Sequence, residues 1–190
     1  RNIIQTDSLY GTYPINEDCP LVYVDDKVWL QGEADQKVTI AAAGTDSTGA
    51  NPSIILQNNI TYDDPDADGL LAIAENNILI GVDVPNDMTV NGIYIAQNGR
   101  FGRNHYVYSN LPNPSGPLDF RPYYERNSLT INGTVVSNGR VGTQWTSGST
   151  FTSGFHERYS SYDRNLVDNP PPLVPNTSDV YDFVEWREEQ

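Results

Sequence analysis

Apolar residues in this chain run in short, β-branched stretches that end in Asn, Gly or Asp, and the 3.6-residue period of an amphipathic helix is nearly absent. The stretches 21–24, 28–31, 38–42, 53–56, 70–74, 78–80, 92–96, 128–131 and 134–137 are predicted strands, with Gly and Pro punctuating the chain between them. The fold class expected is all-β.

A sandwich would show long alternating strands joined by hairpins. Here the strands are short and several resemble one another: Ile73-Ala-Glu-Asn-Asn77, Ile95-Ala-Gln-Asn-Gly99 and Val135-Val-Ser-Asn-Gly139. Asn and Gly turn corners in left-handed backbone conformations, and apolar side chains between the corners stack inward. The recurrence predicts an irregular, single-stranded, right-handed parallel β-helix, although turn chemistry in any β protein also produces such matches. Residues 1–153 form the expected β-helix domain. It is interrupted at 106–124 by an excursion carrying Pro112, Pro114, Pro117 and Pro122. Residues 154–190 are expected to be an extended tail whose prolines at 170–172 and 175 run along the outside, because Pro donates nothing to a sheet interior. Tyr181, Phe183 and Trp186 then offer apolar anchors to close the end of the stack.

Composition changes this picture at the level of function. The 190 residues carry a formal charge of −14, and the eleven Lys and Arg are scattered without a run, so nucleic acid and anionic membranes are disfavoured partners. Metal cations suit such a surface, and so does the plainer role of acid in keeping a protein soluble. Only Lys27 and Lys37 are lysines, among many Tyr, Asn and Gly, a composition expected of an exported protein. Cys19 stands alone and forms no internal disulfide. No stretch approaches the roughly 20 apolar residues of a membrane span, and the chain starts at Arg1, so an upstream segment is expected to be missing.

The segments Val28-Trp-Leu-Gln-Gly32, Lys37-Val-Thr-Ile-Ala-Ala42, Asn59-Ile-Thr-Tyr62 and Gly69-Leu-Leu-Ala-Ile-Ala-Glu-Asn-Asn77 resemble a family of bacterial surface proteins. These are the PilX-like, minor-pilin-like proteins associated with type IV pili. The resemblance continues through Ile95-Ala-Gln-Asn-Gly99. It is most specific at Arg158-Tyr159, Tyr162-Asp163, Leu166, the prolines at 170–172 and 175, Tyr181 and Trp186-Arg-Glu188. It implies a β-helical ectodomain behind an N-terminal pilin-type membrane helix that this sequence lacks. It also implies partners among pilus or cell-envelope proteins, and it supplies no catalytic residues.

The sharpest local motif is Asp64-Pro-Asp66-Ala-Asp68-Gly69, with Glu75 completing a twelve-residue spacing. Aspartates at alternate loop positions, a Gly for the sharp turn and a final bidentate Glu are what calcium requires. Asp64, Asp66, Asp68 and Glu75 are therefore the candidate metal ligands, on strand rather than helix flanks. The competing reading is an acidic, solvated turn. A polysaccharide-active β-helix enzyme would need two carboxylates flanking the scissile bond, which sequence alone does not place. His105, His156 and Cys19 read as surface or inert residues rather than as acid, base or nucleophile. Trp29, Trp145, Trp186 and the many tyrosines offer a sugar-stacking surface, but the plainer reading is preferred: Trp29 packs in the core, Trp186 anchors the tail, and Trp145 is exposed. Sequons stand at Asn59, Asn132 and Asn176. The function expected is a non-catalytic structural or adhesive cell-surface protein, with surface glycans or further copies of itself as partners. The alternatives are the polysaccharide-active enzyme and a self-assembling filament subunit.

Overall fold

The computed structural model describes residues 10–44, 51–106 and 123–174. Eleven strands are found there: β1 (Leu21–Val24), β2 (Val28–Ala34), β3 (Lys37–Ala42), β4 (Ile54–Tyr62), β5 (Gly69–Ala74), β6 (Ile78–Ile80), β7 (Asp87–Ala96), β8 (Phe101–Arg103), β9 (Glu125–Ser137), β10 (Gln144–Ser147) and β11 (Thr150–Ser161). One helical turn, α1 (Asn165–Asp168), comes after them. No described helix is long and apolar enough to cross a membrane. The described chain is all-β, and its sheet is largely parallel.

The pairing obeys one rule from β1 to β9: each strand hydrogen-bonds in parallel with the strand two places along. Three rows result. Row one runs β1, β3, β5 and the second halves of β7 and β9, matching Val22 with Ile40, Ile40 with Ala72, Ala72 with Tyr94 and Tyr94 with Val135. Row two joins the first halves of β2 and β4 to β6 and β8, stacking Val28, Ile54, Ile78 and Phe101. Row three takes the second halves of β2 and β4, the first halves of β7 and β9, and β11, with Met88 opposite Leu129 and Leu129 opposite Arg158. Alternate residues of all three rows form one buried cluster, including Leu70, Ala72, Ile54, Ile78, Met88, Val90 and Leu129. In a strand only every second side chain points to a given face, so this alternation is the period-2 pattern of the sequence made physical.

The chain changes row without ending a strand. In β7 and β9 the Asn-Gly steps at 91–92 and 132–133 lie in register, and Gly92 and Gly133 have φ of 139° and 138°. A Cβ on Gly133 would sit 2.0 Å from the Gly92 carbonyl oxygen, so only glycine permits both the bend and the close stacking. The predicted strands 128–131 and 134–137 are therefore one strand, β9, bent at its glycine. At other corners Asn side chains serve the next level's backbone: Asn59 Oδ1 accepts from Thr89 N at 2.9 Å, and Asn77 Oδ1 accepts from Arg100 N at 3.0 Å.

The far side of row one is covered by the end of the described chain. Thr39 and Leu71 point away from the core cluster, in register with each other, and both are buried. The Thr39 hydroxyl donates to the Pro172 carbonyl, while Leu166 and Pro171 side chains lie 3.0 and 3.2 Å from where a Gly69 Cβ would stand. The prolines at 170–172 thus run outside the sheet, as their chemistry requires. Two expectations are corrected. The tail set to begin at Gly154 begins later, because residues 154–161 belong to β11 and pair with β9 in parallel. Trp29 shares the parity of Ile55 and Leu79 in row two and stands on the side away from the core cluster, since Val28 and Leu30 take the inward positions. Most of the excursion at 106–124, and the residues Pro175, Tyr181, Phe183, Trp186 and Asn176, lie outside the described residues.

Candidate functional site

Asp64, Asp66 and Asp68 share one turn, and Asp64 and Asp68 use their oxygens on its backbone. Asp64 Oδ1 accepts from Asp66 N at 3.0 Å, and Asp68 Oδ2 accepts from Asp64 N at 2.8 Å. Asn165 Nδ2 ties the turn to α1 by donating to Asp66 Oδ1 at 3.1 Å and to the Pro65 carbonyl at 3.0 Å. Glu75 is elsewhere, accepting from Gly44 N at 2.8 Å. The six residues of β5 separate it from the turn, an extended span of roughly 20 Å, where an EF-hand would have wound the chain back. Among the described residues no group of three or more His, Cys, Asp or Glu could hold a metal ion.

His156 is exposed, stacked on Phe151 at 3.8 Å, with Nε2 3.4 Å from Glu125 Oε2. His105 packs against Trp145 with ring centroids 5.2 Å apart, and Cys19 is exposed. The sequon residue Asn132 accepts through Oδ1 from the Ser161 hydroxyl at 2.9 Å.

The fold also gathers residues that lie far apart in the sequence. Asn98-Gly99-Arg100 and Asn138-Gly139-Arg140 are successive copies of one corner, joined by the Gly139 N–H donating to the Gly99 carbonyl at 2.8 Å. Corners in register bring the next residue of each level together, so Arg100 and Arg140 open onto one cleft. Arg158 of β11 joins them, with Thr143, Gln144 and Trp145 completing the wall of a cavity of about 330 Å³. Arg158 has the register position over Met88 and Leu129, so at this end of row three an exposed cation succeeds two buried apolar residues.

Some parts of the cleft are held in place. Arg100 Nη2 donates to Asn104 Oδ1 at 2.9 Å, and Gln144 Nε2 donates to the Phe155 and His156 carbonyls at 3.0 and 2.9 Å. The floor is Gly142, bridged in parallel to Gly102. A Cβ there would meet the Trp145 ring at 3.6 Å and Arg100 Nη1 at 3.9 Å. Arg140 and Arg158 have no hydrogen bond or ion pair among the described residues, and the Trp145 indole Nε1 is buried without a partner. A second cavity of about 280 Å³ shares Val141, Thr143 and Arg158 with the first.

Behind the floor lies a buried cation. Arg103 continues the row-two stack of Leu30, Leu56 and Ile80, yet it is fully buried. Its guanidinium donates to the carbonyls of Gly81 at 3.2 Å, Val82 at 2.8 Å, Tyr123 at 2.5 Å and Tyr124 at 3.3 Å. Phe155 and Tyr106 rings lie 5.4 and 5.5 Å from its central carbon. Burial and the neighbouring Arg126 push its pKa down to about 10, which leaves it charged at neutral pH. Arg126 itself is held near Asp83 at 4.0 Å and over the Tyr123 ring at 4.9 Å.

The cleft gathers three of the chain's eleven cations at one place on an acidic molecule, beside an indole and, among the described residues, with no carboxylate in its wall. The Arg that follows each repeated Asn-Gly is the signal that could have found two of them. Arg158 had none, because its place depends on long-range register. Comparison with known protein families, with curated proteins and with solved structures gives no match, so the site is read from its own geometry.

Proposed function

We propose that this chain is the exported, non-catalytic ectodomain of a cell-surface protein, a right-handed parallel β-helix that serves as a structural or adhesive platform. The observation that carries it is the pairing rule: each strand through β7 is hydrogen-bonded to the strand two places on, in three rows that share one core cluster. A chain wound in successive coils produces such rows, and right-handed crossovers are the sense that twisted parallel strands favour. Coils of this kind build a rigid, elongated body from a polar sequence, because each level needs only its neighbours to bury its interior. The site suits binding of an acidic ligand: among the described residues the wall of the cleft is cationic and aromatic. The pilus-associated role rests on the resemblance of the sequence segments alone and belongs to the same proposal.

Antibody raised against residues 10–174 and applied to intact and lysed cells of the source organism tests the surface assignment. Labelling of intact cells, removed by brief external protease, is expected. Signal seen only after lysis would overturn it.

A further inference from the structure

We propose that the cleft bounded by Arg100, Arg140, Arg158 and Trp145 binds a carboxylate-bearing sugar of an acidic polysaccharide. This deepens the platform reading above by naming its ligand, and it rests on that reading.

On a chain of net charge −14, like charges that converge in one cleft cost self-repulsion, and an incoming anion relieves it. Arg140 and Arg158 are exposed and bond to nothing among the described residues, so their planar forks are free to pair with a carboxylate through two parallel N–H donors each. Arg100, fixed by Asn104, supplies a preorganised third cation.

Trp145 selects the rest of the ligand. Its half-buried ring, steadied by His105, offers an apolar platform of the kind that the hydrocarbon face of a sugar covers. The lack of a side chain at Gly142 keeps the floor open between the ring and Arg100. A cavity of about 330 Å³ is at the small end of ligand sites and suits a sugar residue or two. The acidic surroundings argue for the sparse charge of a uronic-acid chain over the dense charge of nucleic acid.

The test is calorimetric titration of the full chain with a galacturonate hexamer and, separately, with a neutral glucose hexamer. The acidic hexamer is expected to bind and the neutral one not. R140A/R158A, which alters two exposed side chains, should weaken binding at least about tenfold, as should W145A. G142L should do the same with every arginine in place. Should G142L fail to fold, as judged by circular dichroism, the double arginine variant still decides. Equal binding of both hexamers, no binding of either, or undiminished binding by R140A/R158A would overturn the proposal. So would inorganic phosphate displacing the hexamer as well as galacturonate does, since that marks an anion hole indifferent to sugar. None of these outcomes touches the labelling of intact cells, so the two readings fail separately.

Discussion

Arg103 occupies a position that its register neighbours Leu30, Leu56 and Ile80 fill with hydrocarbon, and it satisfies four carbonyls from two separate loops. The replacement R103M should preserve the stack yet orphan those oxygens, each worth about 1–3 kcal/mol when buried unpaired. The urea midpoint of R103M should fall by an amount equivalent to at least about 3 kcal/mol, with R103K between it and the parent. An unchanged midpoint for R103M would show that the carbonyls find other donors. Gly133 is the other position where one atom decides. G133A places a Cβ against the Gly92 carbonyl and forces φ 138° on a substituted residue, and should cost at least about 3 kcal/mol in thermal unfolding. The contrasting G148A, at φ 61° with nothing within 4 Å, should cost only about 1 kcal/mol.

Elements were legible where apolar residues alternate, and less so where the fold ignores that pattern. β1 and β6 coincide with their predicted limits, while 92–96 and 53–56 are only halves of β7 and β4. Their other halves mix Asn, Thr and Asp among apolar residues, and a strand that bends at glycine looks from sequence like two strands or one short one. β11 was missed because His156 through Ser161 are exposed, so its hydrogen bonds to β9, rather than burial, define it. The acidic turn was recognised as a loop, but its relation to Glu75 was not: a spacing counted along the chain means one distance on a wound loop and another on an extended strand. The cleft was not read from the sequence: the repeats were followed only to Asn-Gly, one residue short of Arg100 and Arg140. The strap formed by α1 and the prolines gives a prediction at this scale. L166A should destabilise by about 2–4 kcal/mol and speed amide exchange in β3 and β5 more than in β6 and β8. Uniform acceleration across all four strands would argue that the helix stabilises the whole rather than row one.

For the molecule as a whole, the aromatic interior sets an alkaline limit. Burial, its largest cause, raises the Tyr62 pKa to about 12, and burial carries Tyr94 well above its ordinary value of 10.0. Tyr94 donates to the Asn91 carbonyl at 2.8 Å, and the Tyr62 hydroxyl accepts from Leu70 N at 3.2 Å. Below pH 10 both phenols are neutral in the folded and unfolded chain, and their contribution is fully present. Above it the unfolded chain releases protons that the fold retains, so stability is lost as pH rises from 10.0 toward about 12. Unfolding free energies across that window should fall, and Y62F should flatten the fall. An identical slope in Y62F would assign the loss to other groups.

The seal of Thr39 by Pro172 has a temporal side. A polypeptide made or secreted from its N-terminus completes the strands of row one long before residues 166–172 emerge. Through that interval the flank bearing Leu71 faces water, adhesive to any neighbouring nascent chain. The newly made chain is therefore adhesive until residues 166–172 fold back, and a chain stalled shortly before them should be the species that escorts or proteases recognise.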